Sequence, residues 1–274
     1  MDLLDKMGAR IPGGPLRWVI VAWAVVAAGS GLLLGLGGPD WHSAPGAAPA
    51  GHAASAQAVP GKGGPPARAT PGTGGSGVTT VATVRGMPAR YSAPGRKGRG
   101  TVPASWWERP SVLPVIGTRP GWVEVRLAQR PNGSTAWLPA NDVILSTTPY
   151  RIVIDLATTH LMLYKDGRQV LSAPAGVGAP DDPTPTGEYF VAFMESPPAA
   201  GYGPFVLVTS AHSTAISDWS GSGDAVIGIH GPLGDDAEIG ASGARISHGC
   251  VRLHLADQAK LSAVPPGTPV DVIQ

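Results

Sequence analysis

The chain carries one cysteine in 274 residues, three phenylalanines, and charged side chains at only 14% of its positions. A single cysteine excludes an intramolecular disulfide, a four-cysteine zinc site and a cysteine-ligated iron–sulfur cluster. Lys and Arg number 20 against 19 Asp and Glu, a formal net charge of +1. So even a balance builds no broad positive field, and no nucleic-acid partner is expected. No internal repeat is visible. What is plentiful is glycine (39) and proline (29), which without a period mark part of the chain as low-complexity.

Trp18 to Leu36 is a run of 19 residues without a charge, just long enough as a helix to cross a hydrocarbon core of about 30 Å. Lys6, Arg10 and Arg17 precede it and Asp40 follows, so the positive-inside rule puts residues 1–17 in the cytoplasm and everything after the run outside. The run, 18–36, is expected to be a transmembrane signal anchor. A cleaved signal peptide with Ala54-Ser55-Ala56 as its cleavage site is the competing reading. Residues 37–77 read as a disordered tether. Between Gly38 and Gly77, 10 of 40 residues are Ala, 10 are Gly and 7 are Pro, too little large apolar surface to offset the entropy of ordering.

From Val78 the composition changes to short β-type runs, VTTVATV, SVLPVI, GWVEVRL and TAWLPANDVIL, divided by turn sequences such as Pro131-Asn132-Gly133. Alternation puts Trp122, Glu124 and Arg126 on one face of a strand and three aliphatics on the other. Residues 78–147 are expected to form a small β-barrel, and the order PGWVEVRL then PNGSTAWLPANDV resembles bacterial SH3-like modules. Residues 148–274 open with RIVIDL, HLMLYK and RQVLSAPA, with Asp166-Gly167 as a strong hairpin signal. Further strands are expected at Glu188–Glu195, Pro204–Ser210 and Val226–His230, with one short helix around Leu255–Leu261. The fold class expected is mainly β, with little helix.

The chemistry converges on the one cysteine. Ile229-His230-Gly231 is followed, after 16 residues beyond His230, by Ser247-His248-Gly249-Cys250-Val251-Arg252-Leu253. A thiol is a weak nucleophile until a base takes its proton, and two histidines frame this one. If 248–250 were extended, His248 and Cys250 would share a side, and the glycine between them would leave backbone N–H groups open to an oxyanion. Arg252 offers a fork suited to a carboxylate. The pattern reads as cysteine acyl transfer through a thioester. A buried structural cysteine and a metal site from His230, His248, Cys250 and His254 compete with it. No Asp or Glu lies between Ser247 and His254, and no metal or cofactor is expected.

His230-Gly231 followed by SHGCVRL resembles the signature of the L,D-transpeptidase (YkuD-like) catalytic domain, and Pro183-Thr184-Pro185-Thr186-Gly187 and Ser210-Ala211-His212-Ser213 are similar to that family's segments. The tether and SH3-like module resemble actinobacterial-type members. The resemblance implies Cys250 as nucleophile, His230 as its base oriented by the Gly231 carbonyl, and an oxyanion hole from the amides of His248, Gly249 and Cys250. It further implies that His248 shapes the pocket or assists proton transfer, that Ser247 holds the turn, that Arg252 meets a substrate carboxylate and that His212 lines the donor pocket. The implied substrate is a peptidoglycan tetrapeptide stem, which loses its terminal D-Ala as the acyl group passes to an amine. Carbapenem β-lactams are the implied covalent inhibitors, and the implied place is the wall side of the cell membrane. An L,D-carboxypeptidase or endopeptidase using water, and a wall-binding protein with a vestigial catalytic fold, are the alternatives. Pro232 and Leu255 depart from the family pattern and bear on acceptor choice.

Overall fold

A computed structural model describes residues 77–219 and 222–274. The expected cytoplasmic segment, the membrane anchor and the tether up to residue 76 lie outside these residues. Among the described residues no helix is long and apolar enough to cross a membrane.

The N-terminal unit is a five-stranded antiparallel sheet of β1 (Thr79–Val84), β4 (Val112–Arg119), β5 (Trp122–Arg126), β6 (Thr135–Pro139) and β7 (Val143–Thr148), in the spatial order β6-β5-β4-β1-β7. A small hairpin of β2 (Ser105–Trp106) and β3 (Arg109–Pro110) branches from it. The alternation expected in β5 is present: Val123 and Val125 are buried, and Trp122, Glu124 and Arg126 are half-buried on the other side. The run expected over TAWLPANDVIL is broken by a single 3-10 turn, Ala140–Asp142, which separates β6 from β7.

The second unit is one ten-stranded sheet. Its strands are β8 (Tyr150–Asp155), β9 (His160–Lys165), β10 (Arg168–Pro174), β11 (Gly176–Gly178), β12 (Gly187–Glu195), β13 (Val206–His212), β14 (Val226–His230), β15 (Ala244–Ser247), β16 (Val251–Arg252) and β17 (Pro269–Ile273). They lie in the order β10-β9-β8-β17-β12-β13-β14-β16-β11-β15. Asp166 and Gly167 both take positive φ, 51° and 76°, as the inferred β9–β10 turn requires. Among the described residues two short α-helices are present, α1 (Asp236–Ile239) and α2 (Leu255–Ala259). The second lies where the sequence places one and the first carries no apolar periodicity.

Every residue of β13 is buried, because the middle of the sheet is covered on both faces. One face, with Val191, Leu207, Ala211, Ile227 and Ile229, joins Ile152, Leu161 and Leu163 in the main core. The other, with Phe190, Phe193, Val206 and Val208, joins Val84, Leu113, Val125 and Leu138 of the N-terminal sheet in a second core. Two-sided burial explains why FVAFM and FVLV read as unbroken apolar runs rather than alternating ones. β14, which ends at His230, borders this double-covered region.

Candidate active site

β14 and β16 are parallel neighbours, with Ile229 opposite Val251 and His230 opposite Arg252. That register brings the turn before β16 against Gly228, whose N–H points at the Cys250 sulfur, 3.4 Å away. His230 stands two residues further along β14, on the same face as Gly228. A Cβ on Gly228 would lie 3.8 Å from the His230 ring carbon Cδ2, so the ring stands beside the Gly228 backbone. The other edge of the ring is fixed: Nδ1 lies 2.8 Å from the Gly231 carbonyl oxygen. A carbonyl can only accept, so Nδ1 carries the proton and Nε2 is the basic nitrogen.

The turn itself is tightly tied. Ser247 Oγ donates to the Cys250 carbonyl at 2.5 Å and accepts the Gly249 N–H at 3.1 Å. Thr184 Oγ1 donates to the Gly249 carbonyl at 2.7 Å. Gly249 has a φ of 114°, and a Cβ there would sit 2.8 Å from Ile227 Cδ1. One condition of the sequence reading is not met here. Residues 248–250 are not extended: β15 ends at Ser247, and the reversal at Gly249 turns His248 outward, 61% exposed, while Cys250 is half-buried. The Gly249 N–H is engaged by Ser247 Oγ.

Burial pushes the Cys250 thiol up, against the opposing pull of the Gly228 N–H. Burial also lowers His230 to about 4, opposed by the Gly231 carbonyl and reinforced by the Arg252 charge. The pair therefore rests at neutral pH as thiol and neutral imidazole. Tyr202 covers the His230 ring, the two ring centroids lying 4.6 Å apart. Gly231 permits this approach, since a Cβ on it would meet Tyr202 backbone atoms at 2.8 Å.

Arg252 is mostly buried and its Nη1 is paired with Asp235, while its Nε has no hydrogen-bond partner among the described residues. A carboxylate of the protein thus already holds part of the fork expected to meet substrate. His248 lies between Asp182, 3.9 Å from Nε2, and the Trp219 ring, 5.3 Å between centroids. His212 is 2% exposed, with Nδ1 2.8 Å from Asp224 and its ring 6.1 Å from Trp106 on the side of the second core. It presents no open face to a donor. His160 and His254 are outside this group: the first bonds the Thr158 carbonyl, and the second precedes α2 with its ring held by Asp236 and the Gly240 carbonyl. Tyr202, Gly228, Asp235 and Thr184 were not singled out from the sequence. Only Thr184 lay in a quoted motif, and the other three have no local signal.

The L,D-transpeptidase catalytic-domain model, YkuD, matches residues 149–272. The YkuD protein of Bacillus licheniformis is 32% identical over 127 residues, which are 46% of this chain and 67% of that protein. The chain belongs to the YkuD family of L,D-transpeptidase domains. The Bacillus subtilis YkuD protein is 31% identical over the same length. Among solved structures, a Mycobacterium smegmatis L,D-transpeptidase aligns at 20% identity, over 59% of this chain and 82% of that one, with a TM-score of 0.36. The catalytic domain of an Enterococcus faecium L,D-transpeptidase aligns at 28% identity, over 45% and 96%, with a TM-score of 0.32. The YkuD match begins just before β8 and ends within β17, and leaves the N-terminal sheet outside it.

Proposed function

We propose that this YkuD-family protein is a cysteine-dependent peptidoglycan L,D-transpeptidase. One arrangement carries the reading: the Cys250 sulfur at the Gly228 N–H, with His230 two residues further on the same strand face. His230 Nε2 takes the thiol proton as sulfur attacks the carbonyl of the L,D bond in a tetrapeptide stem. The amides of His248 and Cys250 receive the oxyanion. The imidazolium then returns its proton to the departing D-Ala amine as the C–N bond breaks, leaving a thioester. An acceptor amine attacks the thioester and gives up a proton through His230, and Cys250 leaves as thiol. With its value lowered to about 4 by burial, His230 is neutral at neutral pH and its Nε2 is free of a proton before the attack.

The N-terminal sheet, with five antiparallel strands and a 3-10 turn before the last, supports the SH3-like reading of residues 78–147. The uncharged run Trp18–Leu36 supports a membrane anchor with the catalytic unit on the wall side. Carbapenems, which present an acylating carbonyl, are expected to modify Cys250.

Incubation with a tetrapeptide stem is expected to give a protein mass increase equal to the stem less D-Ala, and a crosslinked product once an amine acceptor is added. Cys250→Ala should give neither. An adduct that persists in Cys250→Ala overturns the nucleophile, and a trimmed stem without crosslinking replaces transfer by hydrolysis.

A further inference from the structure

The turn between β5 and β6 belongs to the N-terminal unit, yet its side chains are spent on the connection that follows β13. Asn132 Nδ2 donates to the His212 carbonyl at 2.8 Å, and its Oδ1 accepts the His212 N–H at 2.9 Å. The amide thereby pairs with the end of β13 as a neighbouring strand would. Arg130 spreads its guanidinium over three acceptors of the same connection: the Ser213 carbonyl at 2.7 Å, the Ile216 carbonyl at 3.1 Å and the Asp224 carboxylate at 2.9 Å. Asp224 in turn pairs with His212 and accepts the Trp219 N–H through its carbonyl, at 2.9 Å. Trp219 is the residue whose ring lies against His248, two positions from Cys250. A continuous set of contacts therefore runs from a turn outside the YkuD match to the rim of the cysteine site.

We infer that Arg130 and Asn132 are positioning residues for the donor site, through which the N-terminal unit holds Trp219 beside His248 and completes one wall of the stem-peptide entrance. This rests on the transpeptidase reading. The chemistry of the two residues suits the task. A planar guanidinium directs separate N–H groups at two carbonyls and a carboxylate in a fixed fork, and an amide both donates to and accepts from one backbone residue. Lysine or aspartate at these positions keeps bulk and loses part of the pattern.

The test uses the full chain with Arg130→Ala, Asn132→Ala and, as variants that keep side-chain bulk, Arg130→Lys and Asn132→Asp. Acylation of Cys250 by the tetrapeptide stem should fall about 10- to 100-fold in kcat/KM, the worth of losing charge-assisted hydrogen bonds. The loss should appear mainly in KM, and Arg130→Lys should recover part of it. Alkylation of Cys250 by iodoacetamide, which needs no stem site, should change less than about 3-fold over the same variants. Amide hydrogen exchange should quicken in residues 213–219 while the central strands stay protected. Stem acylation within 3-fold of wild type overturns the inference. So do equal losses in acylation and alkylation, or exchange that quickens throughout the sheet, since these mark a merely structural contact. Should the wild-type protein fail to acylate with any stem, the transpeptidase reading falls. The exchange measurement then still decides whether Arg130 and Asn132 hold this segment.

Discussion

Tyr202 lies over His230 and also gives its backbone carbonyl to the Gly231 N–H at 2.8 Å. The residue that covers the His230 ring thus fastens the residue whose carbonyl holds its Nδ1. Gln258, fully buried, donates to the Tyr202 carbonyl at 3.0 Å and ties this cover to α2. The low basicity of His230 follows from this cover, since burial is its main cause.

The acid limb of kcat/KM should therefore fall near pH 4 and not near the ordinary 6.5 of histidine. Tyr202→Ala, which lets water reach the ring, should move that limb upward. A limb near 6.5 in the wild-type protein would show that the group controlling attack is not a buried His230. His230→Ala should slow acylation by about 10²- to 10⁴-fold, the usual worth of a positioned base.

The same histidine bears on stability. Its folded value is lowered to about 4 from 6.5, so as pH falls the unfolded chain takes up the proton first. This contribution is fully present above about 6.5 and declines toward pH 4, by up to about 1.4 kcal/mol per pH unit and about 3 kcal/mol in all. Urea midpoints measured from pH 7 to 4 should decline less steeply in His230→Gln than in the wild-type protein. Parallel declines would contradict the assignment.

His254 has the opposite sign. The Gly240 carbonyl and then the Asp236 carboxylate raise it, both ring nitrogens being 2.9 Å from an oxygen. Its stabilisation is fully present below its ordinary value and is lost as pH rises through the raised one. His254→Gln should lower the midpoint more at pH 5 than at pH 8, measured by thermal unfolding.

Gly249→Ala should cost about 1–3 kcal/mol or more, because its positive φ is combined with a Cβ pressed on Ile227. Displacement of the turn should also reduce alkylation of Cys250, a change that total iodoacetamide incorporation would register. Normal stability and reactivity would mean that the turn relaxes without moving the sulfur.

Arg252→Lys keeps a charge for Asp235 but loses the fork. Stem acylation should fall more than alkylation of Cys250, if the guanidinium serves substrate as well as Asp235. Equal losses would assign Arg252 wholly to holding the turn at α1.

Where residues answer to their neighbours in sequence, the fold was legible. Val226–His230 occurs as a strand with the bounds read from its apolar run, and Asp166-Gly167 makes its turn by local backbone preference. The family match over the segment that holds His230 and Cys250 was legible too, because Gly, His and Cys stand at telling spacings. What the sequence concealed depends on contacts between distant segments. Asp235 meets Arg252 across a turn, and Tyr202 reaches His230 through a loop with no periodicity. The alternation argument for His248 failed at one residue, because a glycine's φ is chosen by the surrounding packing.

The second core has its own consequence for how this protein can be taken apart. Phe190, Val206 and Val208 of the ten-stranded sheet bury against Leu113 and Leu138 of the five-stranded one, and Thr148 and Thr268 share a hydrogen bond of 3.1 Å at their junction. Severing the chain near Thr148 would lay bare an aromatic and aliphatic patch with no water-compatible alternative. The two sheets should accordingly melt in a single transition, and the family's catalytic sheet, excised alone from this chain, should self-associate rather than stand as an independent enzyme.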